Sequence, residues 1–118
     1  MIDWKRISEL KREIGDAEFD EVVELFIEEV DAVILRLKQE PNPELFEENL
    51  HFLKGCSVNL GFADLAALCL AGETMSSGGN AEKVELANVF DSYEMSKRVF
   101  FEGMKTESLA SGIHSRRY

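Results

Sequence analysis

Apolar residues recur at helical spacing through most of the chain, no segment alternates with a period of two, and the connections between periodic stretches are short. These observations predict an all-α fold: an antiparallel four-helix bundle with a short additional N-terminal helix. A chain of 118 residues can bury one modest core without disulfides or metal, so a single domain over residues 1–105 is expected.

Ile7, Leu10 and Ile14 share one face of a short first helix, which Gly15 ends. Asp16 stands where it would cap the second helix. There a stripe from Phe19 through Val23, Ile27, Val30 and Ile34 to Leu37 faces inward, with acids, Arg36 and Lys38 on the other side. Pro41-Asn42-Pro43 interrupts the pattern, and Asn42 before Pro43 reads as an N-cap with proline in the first helical position. In the third helix, at about 100° per residue, Phe46, Leu53 and Leu60 point one way with Cys56 and Ser57 beside them. Glu44, Glu47, Glu48, His51, Lys54, Gly55 and Val58 point the other way, so His51 is expected on the exposed face. Asn49 falls near the buried side and would need a hydrogen-bond partner there.

Gly61 punctuates the chain, and Phe62, Leu65, Leu68, Cys69 and Gly72 resume a stripe up to about Met75, which implies a tight helical hairpin. Ser76 to Asn80 is the clearest loop. Beyond it Val84, Leu86, Phe90, Tyr93, Phe100 and Met104 mark a last long helix. Thr106 to Tyr118 is polar, small and weakly patterned, and reads as a tail with a composition that permits disorder.

A net charge of −10 argues against nucleic acid and anionic membrane surfaces, which select basic faces, and leaves proteins as the expected partners. No apolar run approaches the ~20 residues of a membrane span. The opening residues, Met1 to Arg6, lack the apolar core of a signal peptide, so a cytoplasmic location is expected. Cys56 and Cys69 match no zinc spacing and sit in apolar patterns, as ordinary buried thiols do. Monomer is the default expectation, although the aromatic residues of the last helix could also support a dimer contact.

The stretch His51-Phe52-Leu53-Lys54-Gly55, followed by Leu60-Gly61, carries the chemistry. Residues three and four apart on a helix are surface neighbours, so Lys54 and Gly55 both lie one turn beyond His51. The neutral imidazole offers a nitrogen nucleophile, Lys54 a positive charge for phosphate, and Gly55 removes a Cβ that would obstruct a bulky partner. Glycine inside a helix costs roughly 1 kcal/mol relative to alanine, so its presence calls for a reason, and close approach of another molecule is the reason expected.

This run resembles the signature of histidine-containing phosphotransfer domains, the single-histidine carriers of two-component phosphorelays, and the surrounding helices fit that family over roughly residues 3 to 104. The resemblance implies that His51 accepts a phosphoryl group from the aspartyl phosphate of a receiver domain and passes it to another response-regulator aspartate. It implies that Glu73, at the position of an acidic or amide residue in several branches of the family, accepts a hydrogen bond from the ring. Lys54 would offset phosphoryl charge. Gly55, Val58, Glu47, Glu48 and Phe62 are candidates for the docking face, on which Val58 is bulkier than the small residue common in the family. The implied partners are receiver domains of hybrid histidine kinases and of response regulators. The carrier needs no cofactor of its own, and Mg²⁺ is expected in the receiver.

Two rival readings compete with this one. Glu48-x-x-His51 fits the Glu-x-x-His spacing of di-iron bundles, but those sites use the motif twice and His114 is preceded at that spacing by Ser111, so no metal is expected. No Gly-rich nucleotide loop is present, which argues against a kinase. The other rival is a non-catalytic helical module that binds receivers or kinases without being phosphorylated, against which the intact His51, Lys54 and Gly55 count.

Overall fold

A computed structural model of the protein describes the backbone of residues 1–115 and the side chains of residues 1–105. Asp3 opens the first helix, α1 (Trp4–Ile14), by accepting a hydrogen bond from the Arg6 N–H at 3.1 Å, which satisfies one of the donors left unpaired at a helix start. Gly15, at φ 86°, ends α1 by donating to the Lys11 carbonyl, and its own carbonyl accepts from Phe19 N–H at 3.0 Å. The same glycine therefore serves as N-cap of α2 (Asp16–Gln39). Asp16 does not cap; with Glu18 it sits in the first turn of α2, where carboxylates meet the positive end of the helix dipole.

Asn42 caps as its sequence position suggests, accepting from Glu44 N–H at 3.1 Å, but what it caps is a 3₁₀ turn over Pro43–Leu45. Regular α geometry starts after this turn, in α3 (Phe46–Asn59). A tight turn then leads into α4 (Ala63–Ser77), and a second 3₁₀ turn, Ala81–Lys83, precedes α5 (Leu86–Ser115). The backbone of α5 stays helical past Lys105, where the sequence pattern suggested a tail. No proline interrupts Thr106 to Ser115, and Leu109 and Ala110 favour helix. The side chains of 106–118, His114 among them, and the backbone of 116–118 lie outside the described residues.

The described helices pack as a bundle around Leu50, Leu53, Leu65, Cys69, Tyr93 and Phe100, all at most 1% exposed. Helices α2 and α5 run antiparallel: Lys38 lies over the Phe90 ring near one end, Asp31 meets Lys97 in the middle, and Phe19 shares a groove with Phe100 and Met104 at the other. Helices α3 and α4 form the tight antiparallel hairpin that the spacing implied. Gly61 makes their turn possible in two ways. Its φ is 71°, and a Cβ there would lie 2.6 Å from the Asp3 carbonyl oxygen.

That close approach belongs to an N-terminal strap across the hairpin. Asp3 N–H donates to the Gly61 carbonyl at 2.7 Å, Ala63 N–H to the Met1 carbonyl at 3.0 Å, and Ile2 and Phe62 form an isolated antiparallel bridge. Trp4 stacks on Phe100 with ring centroids 6.2 Å apart, seated against Gly103, where any Cβ would collide with the indole. Arg6 reaches Asn59 at 3.2 Å. The strap and α1 thus hold the end of the α3–α4 hairpin and leave its middle free. Among the described residues, no helix is long and apolar enough to cross a membrane.

Candidate functional site

His51 projects from the middle of α3, one helical step after the fully buried Leu50 and two before the fully buried Leu53. Its side chain is 69% exposed. Across the hairpin, on α4, Glu73 follows the buried Gly72, and its Oε2 lies 2.8 Å from His51 Nδ1. Lys54, one turn beyond His51 on the same helix, places Nζ 2.7 Å from the other carboxylate oxygen, Oε1. That oxygen is closed off from water, and its partner is this ammonium, an ion pair outside ordinary hydrogen-bond angles.

Pairing with Lys54, and after it the hydrogen bond from His51, hold the Glu73 carboxyl below its ordinary value of 4.5. Near neutral pH Glu73 is thus an anion and can only accept hydrogen bonds, which assigns the proton between the two groups to Nδ1. In the neutral ring Nε2 then carries the lone pair. Among the described residues Nε2 has no hydrogen-bond partner. The arrangement is therefore an oriented imidazole with its nucleophilic nitrogen in the open, backed by a carboxylate that is itself held by a cation.

Gly55 is exposed, and a Cβ built on it would meet nothing within 4 Å. Nothing among the described residues calls for glycine there. Val58 is 54% exposed, Glu47 and Glu48 are exposed, and Phe52, 38% exposed, lines a shallow groove with Glu48, Asn49 and residues of α2. Asn49 sits half-buried at the edge of this groove, not in the core. Acids thus flank His51 on the side of the α3 N-terminus, whereas Lys54, Gly55 and Val58 flank it on the other.

Phe62 does not belong to this face. It is 1% exposed, packs edge-on against Phe100 with centroids 5.6 Å apart, and is covered by the strap at Ile2, so it is a core residue. Leu50, next to His51 on α3, is likewise fully buried. Lys54 is found where sequence alone did not place it: its ammonium lies on Glu73. Gly72 stands in the α4 stripe of the sequence beside larger residues, and a glycine inside a helix next to Glu73 is a signal that periodicity alone passes over. Cys56 and Cys69 are free and buried, with thiols raised by burial to about 11 and about 12, which keeps them protonated and inert. Among the described residues no three His, Cys, Asp or Glu side chains gather as a metal site.

This chain belongs to the Hpt domain family, whose model matches residues 21–98, from the first turns of α2 into the middle of α5. Its class of role is that of a phosphotransfer carrier in two-component signalling, distinct from a kinase, and domains of this kind interact with receiver domains and kinases in phosphorelays. No curated protein and no solved structure matches the chain.

Proposed function

We propose that His51 is the phosphoryl carrier of this domain, taking the group from a receiver aspartyl phosphate and giving it to the aspartate of another response regulator. The observation that carries this reading is the 2.8 Å contact between Nδ1 and Glu73 on a ring that is otherwise 69% exposed. It directs the Nε2 lone pair outward.

In the forward step Nε2 attacks the phosphorus of the acyl phosphate, the P–N bond forms as the P–O bond to the receiver's aspartate breaks, and that carboxylate leaves with the electron pair. No proton has to move, because Nδ1 already holds one; the ring gains positive charge, which Glu73 stabilises across its hydrogen bond. Return of the phosphoryl group to a second receiver retraces these bonds. Alignment and electrostatics supply most of the catalysis in such transfers, and the receiver brings Mg²⁺ with its own acidic pocket.

Lys54 has two roles in this scheme. In the free protein it holds Glu73 in place, and after phosphorylation the same ammonium is within one helical turn of the new phosphoryl oxygens. Gly55 leaves the backbone bare for the receiver. Val58 and the Glu47 and Glu48 pair supply apolar and acidic contacts on either side of His51, which suits a receiver surface with a small apolar patch and a basic edge.

The test is to incubate the protein with a phosphorylated receiver domain and follow label on the chain. Acid-labile, base-stable label on the wild type that vanishes in His51→Gln is expected. No label on the wild type despite binding to the receiver would instead support a module that docks without carrying phosphate.

A further inference from the structure

The helix-interior glycine next to Glu73 has a structural reason that differs from that of every other glycine in the hairpin. Gly61 needs its positive φ, and Gly55 faces open space. Gly72 has neither property. Its backbone is ordinary helix, it is buried, and a Cβ placed on it would lie 2.7 Å from Leu50 Cδ1 and 3.4 Å from Val84 Cγ1. Leu50 is 0% exposed and cannot swing its methyl into solvent, while Val84 bounds the other side. The space that a side chain at 72 would need is already filled by Leu50.

These two residues directly precede the two that hydrogen-bond. Leu50 is followed by His51 on α3, and Gly72 by Glu73 on α4, so the contact that sets the distance between the helices lies at the level of the 2.8 Å bond. We propose that Gly72 is a positioning residue for phosphoryl transfer: by leaving the α3–α4 interface bare opposite Leu50, it brings Glu73 within hydrogen-bond reach of Nδ1 and fixes the ring proton there. A side chain at 72 shifts or turns α4 at this level. Hydrogen bonds of this type weaken beyond about 3.2 Å, so a displacement of well under an ångström suffices to release the ring. Local helix preference opposes glycine at this position, and packing overrides it.

The inference builds on the reading of His51 as carrier, but its primary readout does not require transfer. In protein labelled with ¹⁵N at histidine, at a pH where the ring is neutral, the wild type is expected to show a protonated Nδ1 and an unprotonated Nε2. Gly72→Ala is expected to move the ring toward a mixture of tautomers and to slow transfer from a phosphorylated receiver about tenfold, with the half-saturating receiver concentration unchanged. Exchanging the volumes, Leu50→Ala with Gly72→Val, which removes three carbons on one helix and adds three on the other, is expected to restore both the ring signature and the rate. A folded Gly72→Ala with wild-type ring signals and rate overturns the proposal, as does a folded exchange variant that leaves the ring mixed. A wild type that takes no label while Gly72→Ala still alters the ring would remove the carrier reading and leave the positioning role standing.

Discussion

Two places in this bundle use the same three chemical parts to opposite ends. On the α3–α4 hairpin, Glu73 bridges a ring N–H of His51 and the ammonium of Lys54; on the α2–α5 seam, Asp31 bridges the phenol O–H of Tyr93 at 2.5 Å and the ammonium of Lys97 at 3.4 Å. Tyr93 is fully buried, and Lys97 also lies over its ring, 4.8 Å from the centroid, so the aromatic group is enclosed and its only polar atom engaged. His51 keeps one nitrogen bound and the other in the open. A carboxylate paired with a lysine is thus a fastening in one case and a device for orienting an exposed imidazole in the other, and what separates them is whether the aromatic partner has a second heteroatom facing outward.

The contrast is broken most severely at His51 itself, where Gln keeps a polar side chain but no nucleophilic nitrogen and is expected to abolish phosphorylation. Glu73→Ala comes next. It removes the ring's only partner among the described residues and frees Lys54, and transfer is expected to slow by about a hundredfold, the scale of a ~1 Å misplacement. Helicity by circular dichroism should be unchanged, because the bond is at the surface; a global loss of helicity would make Glu73 a structural residue like Asp31.

Much of this was legible in the sequence. The 3.6-residue period separates Leu50 and Leu53 from His51 and Gly55, so the exposed face of α3 could be read before any coordinates. Which residue of α4 meets His51 could not, because periodicity gives the inward face of each helix but not the register between two; only the family resemblance singled out Glu73. Phe62 was misplaced for a related reason. It opens the apolar stripe of α4 but directly follows the glycine turn, so the stripe alone does not say whether it faces the core or the docking side, and its cover comes from Ile2 and Phe100, distant in sequence. Asp16 was misread because Gly15 can end one helix and begin the next with backbone groups alone. The partner of Lys54 was invisible because a lysine stem reaches several neighbours, and the anion it selects depends on the hairpin.

Gly55 sharpens the comparison by separating stability from docking. A Cβ there meets nothing within 4 Å among the described residues, so Gly55→Ala should raise stability by about 1 kcal/mol through helix propensity. If the bare backbone exists for the receiver, the same variant should raise the receiver concentration needed for half-maximal transfer several-fold, and a bulkier residue should raise it further. Titration calorimetry against the receiver, run beside urea unfolding, separates the two effects. An Ala variant that is more stable and binds equally well would remove Gly55 from the docking face.

The smallest effect is expected at the enclosed triad, and it concerns pH. Burial, and after it the hydrogen bond to Asp31, raise the Tyr93 phenol above its ordinary value of 10.0. A group raised in the folded state contributes its full stability below the unfolded value and loses it as pH climbs, because the unfolded chain ionises first. The stability of the wild type should therefore decline above pH 10.0, and Tyr93→Phe should flatten that decline while lowering stability at neutral pH by about 1 kcal/mol for the lost hydrogen bond. Glu73 acts at the other end of the scale. Its carboxyl is lowered, so its contribution is complete above 4.5 and fades as pH falls through the folded value below that, a loss that Glu73→Gln should remove. Urea midpoints measured across pH report both. Tyr93→Phe should leave transfer to His51 unchanged, since the phenol lies on the α2–α5 seam and touches none of the groups around the imidazole; a slowed transfer would mean that the two triads are coupled through the bundle.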